Sequence, residues 1–307
     1  MKWLIGLLVV LAALGGLAWY ALLDAAAPAQ ADEEFDLAAY RQLLVSDAPE
    51  TLPTEVRVEF VGSDPAPSFA TEAGAFGGER MMTYTAFQVV GPSGNVVIDG
   101  AVDADTVVEM TDGAGRFCAE CYQRLLDATS QAAHVLVTHE HIDHVMSIAR
   151  HPSPASIAPH LRLTRPQLDG LPPHARGGAL APAIASAPAA DFTTPQRIAP
   201  GVVAHAAPGH TPGTIAIFVR TASREYLLVG DIVWVMSNIE NLRGRPRFIT
   251  WMIPEIDPDR PAVLRQIRAL HDMAEAEPDL VILPAHDDAY LRRRIAEGAL
   301  AEGFSAQ

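Results

Sequence analysis

Residues 138–144 read Thr-His-Glu-His-Ile-Asp-His, three imidazoles and two carboxylates within seven positions, with apolar residues on either side. Burying so many ionisable groups is costly unless something pairs with them. The stretch is therefore either a charged surface loop or the surround of a cation. In extended backbone, residues two apart point the same way, so His139 and His141 face one side and Glu140 faces the other. Asp143 and His144 follow where a helix is expected to begin and can aim at the same region. Imidazole and carboxylate together suit zinc, iron or manganese. The spacing is not that of the H-E-x-x-H helix, because the residue four after His139 is Asp143. Ligand-type residues recur where other apolar runs end: His210 in "APGHTPG", Asp231 in "LLVGD", His286 in "LVILPAHD" and Asp99 in "VVIDG".

The apolar patterning supplies the elements that must carry these residues. "VRVEFVG", "TYTAFQVVG", "NVVIDG" and "HVLVTH" read as strands, with a turn at Pro92–Gly94. "GVVAHAAPG", "TIAIFVR", "EYLLVG" and "DLVILPAHD" form a second batch of strands. Helices are expected over "DLAAYRQLL", "FCAECYQRLLDAT", "IDHVMSIAR", "PDRPAVLRQIRALHDMAEAEP" and "AYLRRRIAEG", the last stopped by Gly298. Two batches of strands with helices between them suit two packed sheets covered by helices. Residues 171–195 and 235–257 show little pattern, and loops of that length are usually lids or binding loops. In the second, with Trp234 just before it, Met236, Phe248, Trp251 and Met252 are expected to wall a small-molecule site. Arg243, Arg245 and Arg247 either pair with a substrate anion or form a solvated run. His134, His151, His160, His174, His205 and His271 belong to no motif and read as surface or satisfied core residues.

"THEHIDH", "PGHTPG", "VGD" and "PAHD", preceded by "VIDG", together resemble the metallo-β-lactamase superfamily of binuclear metallohydrolases. The resemblance implies an α/β fold, the αββα sandwich, with metals at one edge of the sheets. It implies two zinc ions, with iron and manganese compatible with the same donors. One would be held by His139, His141 and His210, the other by Asp143, His144 and His286, and Asp231 would bridge them. Asp99 would orient a ligand. A hydroxide between the metals would attack a small ester or lactone carbonyl, and Asp143 would relay a proton to the leaving group. Thioester and β-lactam hydrolysis, and a mononuclear iron chemistry like that of the persulfide dioxygenases, occur on the same motif. Three departures narrow the choice. Lactamases usually lack aspartate at the Asp231 position, glyoxalase II-like enzymes follow the motif with Gly-Gly where this chain has "VMS", and lactonases usually carry tyrosine where Trp234 stands.

The remaining features concern place and partners. Trp3–Leu23 carries no charge, and as a helix would be roughly 30 Å long, about one bilayer core. It exceeds the roughly 7–15 residues of a secretory core, and its aromatic residues sit at both ends. "AQA" at Ala29–Ala31 is a plausible signal cleavage site. Residues 1–24 are thus a membrane anchor or a signal segment, 25–53 a linker and short helix, and 54–307 the hydrolase domain. Lys2 precedes the span and acidic residues follow it, which leaves the domain outside: membrane-anchored, or secreted or periplasmic after cleavage. An exported chain permits a disulfide, so Cys118 and Cys121 are expected to serve structure, as a local bridge or as buried thiols. A net charge of -15 argues against a nucleic-acid partner and leaves a small molecule and the membrane.

Overall fold

A computed structural model describes residues 2–31 and 34–305; Asp32 and Glu33, in the acidic run expected after the span, lie outside them. The first sheet is built on β1 (Glu55–Pro67) and β2 (Glu79–Val90), a long antiparallel pair. β3 (Val96–Ile98) adds antiparallel to β2. The short β4 (Arg116–Phe117) pairs with β1, and β5 (His134–Leu136) lies parallel to β3. The second sheet holds β6 (Gln196–Ala199), β7 (Val202–Ala206), β8 (Ile215–Arg220), β9 (Glu225–Gly230) and β10 (Val281–Pro284) in the order β10-β9-β8-β7-β6. β11 (Ala301–Glu302) returns to the free side of β1.

The strands alternate, and each face finds its own partner. Val56, Val58, Phe87, Ile98 and Leu136 of the first sheet meet Ile215, Ile217, Val219, Leu228 and Leu283 of the second in a common core. Helices cover both outer faces. In chain order the helices are α1 (Lys2–Leu22), which does not join these layers, α2 (Leu37–Leu43), α3 (Ser68–Thr71), α4 (Ala104–Thr111), α5 (Ala119–Gln131) and α6 (Ile142–Ala149). There follow α7 (Pro154–Ile157), α8 (Arg165–Gly170), α9 (Pro182–Ala185), α10 (Met236–Glu240), α11 (Arg247–Met252), α12 (Arg260–Ala276) and α13 (Asp288–Ala296). Leu125 of α5 and Val145 and Ile148 of α6 pack on the outer face of the first sheet. Val263, Ile267 and Leu270 of α12 pack on the second, with Tyr40 and Leu44 of the α2 region. The layers are therefore helix, sheet, sheet, helix.

Several expectations shift in detail. Residues 235–257, read as a loop, contain α10 and α11, and residues 171–195 contain α9 and short 3-10 turns. β5 stops at Leu136, short of the end of the "HVLVTH" run read as a strand, because the Thr138 N–H bonds to the Asp99 carboxylate at 2.6 Å instead of continuing the ladder. Cys118 and Cys121 are joined as a disulfide at the start of α5. Residues 24–27 lie on the domain: Ala25 is fully buried, its carbonyl accepts from Gly244 N at 2.9 Å, and Ala27 N donates to Leu242 O at 2.9 Å. α1 stands apart, with none of its residues buried.

Ile217 is fully buried in the inter-sheet core. Ile217→Ala leaves a cavity there and is expected to cost about 2–5 kcal/mol of stability, read by chemical denaturation.

Candidate metal centre

Every residue that the resemblance marks as a ligand or as orienting one lies beyond a strand end on one rim of the sandwich. Asp99 follows β3, His139 and His141 follow β5, and Asp143 and His144 form the first turn of α6. His210 lies on the β7–β8 connection, Asp231 directly follows β9, and His286 follows β10. Gly230 makes the last placement possible: it has φ +50°, and a Cβ there would sit 2.6 Å from the Thr138 side chain. One donor atom from each of His139, His141, His210 and Asp231 lies within 4.8 Å of the others, and Asp143, His144, Asp231 and His286 form a second such group. Asp231 is common to both and divides its oxygens between them. Its Oδ2 is 3.6 Å from His210 Nε2 and 3.8 Å from His139 Nε2. Its Oδ1 is 2.9 Å from His286 Nε2 and 3.3 Å from His144 Nε2, yet neither nitrogen is aligned to donate to it.

The far side of each ring fixes which nitrogen faces the cluster. Nδ1 of His286 meets the Thr83 carbonyl at 2.8 Å, Nδ1 of His210 meets Asp257 Oδ1 at 2.8 Å, and Nδ1 of His144 meets Asp99 Oδ2 at 3.1 Å. An N–H donated outward leaves a lone pair on Nε2 pointing inward. The inward nitrogens of the first group then crowd one another: His139 Nε2 and His210 Nε2 each lie 3.1 Å from His141 Nδ1. Lone pairs facing at such distances repel unless a cation lies between them, so these residues fit a metal. Burial holds His139 well below its ordinary pKa and takes His141 down to about 3, which keeps both neutral, the state a ligand needs. Burial alone would lower His144 and His286, but Asp99 and Asp231 outweigh it and hold both above the ordinary imidazole pKa. The two in turn outweigh the burial of the Asp231 carboxyl and hold it well below the usual range, and a cation between them would take the place of those protons. Two neutral imidazoles beside an anionic carboxylate suit a divalent metal.

A family model described as the metallo-beta-lactamase superfamily matches residues 83–286. The chain belongs to that superfamily. Solved structures agree on the fold. A quorum-quenching N-acyl homoserine lactone lactonase aligns with TM-score 0.55 at 16% identity, covering 79% of this chain and 94% of its own. A probable metal-dependent hydrolase from Staphylococcus aureus aligns with TM-score 0.55 at 12% identity, covering 77% and 91%. A dizinc quorum-quenching lactonase aligns with TM-score 0.51 at 12% identity, covering 78% and 92%. No curated protein matches the chain by sequence.

Around the motif shared with the superfamily, this chain adds supports that its motifs did not reveal. The Glu140 carboxylate, facing away from the centre as expected, accepts from Thr211 Oγ1 at 2.8 Å and Gly213 N at 3.1 Å, and so ties the two histidine loops together. Gln167 of α8 donates to Val137 O at 2.9 Å and Gly213 O at 2.8 Å, bridging the same loops. Arg245, expected to meet substrate or solvent, is 2% exposed and paired with Asp257, the partner of His210. Its guanidinium also lies 4.8 Å from the centre of the Trp234 ring, and Trp234 Nε1 donates to Asp231 Oδ2 at 2.7 Å. Arg247 pairs with Asp24, and Arg243 is exposed. The apolar wall is also differently made. A cavity of about 490 Å³ opens over His141, Asp143, Asp231 and His286 and is lined by Met82, Tyr84, Met110, Trp234, Ile253 and Ile256. Trp251 and Met252 point outward and are more than half exposed, and Phe248 packs near Phe69. His174, which no motif marked, borders the cavity, its Nε2 3.2 Å from Glu140 O. Only a fold brings His174 or Gln167 to this rim, so sequence spacing carries no sign of either.

Asp257→Asn leaves the buried Arg245 charge without its counter-ion. It is expected to lower stability by about 3 kcal/mol and metal affinity by about 10–100-fold, measured by denaturation and chelator competition. Burial pushes the Asp257 carboxyl up, but Arg245 and His210 outweigh it and bring it down to about 2. The stability it contributes is full above the ordinary carboxylate pKa of about 3.9 and is lost as pH falls through the folded value. The Asn variant lacks that part of the acid loss.

Proposed function

We propose that this member of the superfamily is a two-zinc hydrolase of small acyl esters or lactones. His139, His141 and His210 would hold one zinc and Asp143, His144 and His286 the other, with Asp231 shared by the two groups of donors. The observation that carries the reading is the division of the Asp231 oxygens between two complete donor groups. Zinc in such a pair supplies a nucleophile from water at neutral pH and polarises an acyl oxygen. The chain's own residues do the rest. Asp99 holds the His144 ring by its outer nitrogen, and Asp257 does the same for His210. Trp234 occupies one lone pair of Asp231 and fixes the plane of the carboxylate. Asp143, 13% exposed against 3% for Asp231, borders the cavity and would hand a proton to the departing oxygen.

The mostly apolar cavity favours an acyl compound over a polyanion. N-acyl homoserine lactone hydrolases among the structural neighbours, one with its product N-hexanoyl-L-homoserine bound at the catalytic metal centre, support the same class.

The domain is anchored by α1 outside the membrane that α1 crosses. The helix is apolar over 21 residues and unburied, unlike a core helix of a soluble protein. Removal of the segment through Ala31 would strip Arg247 of Asp24 and Gly244 N of its acceptor, which favours a retained anchor. The disulfide suits the oxidising side.

Elemental analysis of the full chain is expected to approach two zinc ions per chain, and a single stable iron would overturn the assignment. Asp231→Ala and His210→Ala are each expected to lower kcat/KM on the best ester or lactone by at least about 100-fold with much of the fold kept. His160→Ala, outside the site, is the control and should stay near the wild-type value. A phosphodiester or nucleic acid hydrolysed fastest in the same panel would sink the acyl reading. Intact mass of the chain from its native membrane checks the anchor: a mature chain beginning at Asp32 would refute it.

A further inference from the structure

The end of α1 is not joined to the domain by a loose tether. The Arg247 guanidinium lies 4.4 Å from the centre of the Tyr20 ring and pairs with Asp24, while Arg260 Nη2 donates to the Asp24 carbonyl at 3.0 Å. Residues 25–27 run beside 242–244 with two backbone hydrogen bonds. α11 is thereby held at the last turn of α1, where the Tyr20 and Trp251 ring centres are 6.1 Å apart. On the other flank, residues 73–75 and Trp19 line one cleft.

Large apolar side chains face outward at this junction. Trp251 is 54% exposed, Met252 64% and Ile253 45%, three in succession, and Phe76 beside residues 73–75 is 62% exposed. Such a patch on a soluble surface marks something that covers it. What covers it is set by its continuity with α1. If α1 spans a bilayer, its last turn lies at the lipid–water boundary, and a helix fixed against that turn lies there too. Aromatic and aliphatic side chains beside an arginine suit that depth. Ile253 belongs both to this face and to the lining of the cavity over the metal ligands.

We propose that α11 and Phe76 lie in the headgroup–acyl boundary of the bilayer crossed by α1, and that the cavity takes long-chain acyl esters or lactones directly from that bilayer. The inference rests on the hydrolase and anchor readings above and narrows their substrate class to membrane-partitioned amphiphiles. The net charge of -15 directs the domain toward zwitterionic rather than anionic lipid.

The test uses the full chain reconstituted in phosphatidylcholine nanodiscs. Both native cysteines are paired, so Met252→Cys gives a single free thiol for a nitroxide. The label is expected about 5–10 Å inside the lipid boundary, protected from a water-soluble relaxation agent. The same label at Ser186→Cys, on the exposed end of α9 in the opposite outer layer, is expected to read as aqueous. An aqueous reading at residue 252 overturns the docking even where ester hydrolysis persists. Dipolar coupling between two labelled chains at residue 252 also overturns it, in favour of a second copy on the patch.

Kinetics test the substrate route. Trp251→Ser with Met252→Ser, neither of which lines the cavity, should raise KM for a long-chain ester in the nanodisc by about fivefold or more. The same pair should leave a short, water-soluble ester unchanged, which also shows that the variant folds. Equal effects on both esters, or none on either, overturn the route. Absence of hydrolysis on every ester, with residue 252 in lipid, strikes the hydrolase reading instead and leaves the docking standing.

Discussion

A carboxylate buried at the seam of two sheets organises this molecule. Asp231 is 2% exposed, carries its charge against the cost of burial, and has one oxygen for each of two groups of imidazoles. A buried anion is tolerable only among positive or polarised partners. The strand tips of both sheets converge to provide them. Gly230 lets the chain turn under Thr138, the outer nitrogens of His144, His210 and His286 are claimed by Asp99, Asp257 and Thr83, and Trp234 caps the remaining exposed edge. Each of these contacts removes a degree of freedom from a group that must stay within a few tenths of an ångström of its place.

The same logic accounts for Arg245. A fully buried guanidinium is an expensive feature, and it is kept because Asp257 needs a counter-ion while it holds His210. One of its nitrogens, Nη1, has no hydrogen-bond partner among the described residues. Its neighbours along the chain carry the junction with α1, so the strut behind the metal ligands and the seat of the N-terminal helix are one continuous stretch, residues 242–247.

Much of this is legible in the sequence. The alternation at the start of β1, the continuous apolar runs of β8 and β9 and the amphipathic α12 declare themselves in the sequence, and ligand-type residues stand just past several of the strands. What stayed hidden depended on long-range approach. Trp251 faces outward beside Tyr20 at the end of α1, a neighbour that no local pattern encodes. Arg245 reads as one of three similar arginines until Asp257, twelve residues on, folds back to meet it. β5 ends early because Asp99, far off in sequence, takes an amide that strand propensity would have assigned to the ladder.

The grip of β2 on His286 carries a further consequence. Thr83 donates its N–H to the His286 carbonyl at 3.0 Å and accepts from the imidazole at 2.8 Å, so a strand of the first sheet steadies a ligand of the second. The first half of the chain supplies His139, His141, Asp143 and His144; the second supplies His210, Asp231 and His286. Neither half alone offers a closed set of donors or the rails that align them. During synthesis the amino-terminal half therefore emerges with four donor-type groups and without the three from the second half. The order of assembly itself defers metal capture until both sheets have docked, and a half-folded chain has little means of trapping the wrong ion.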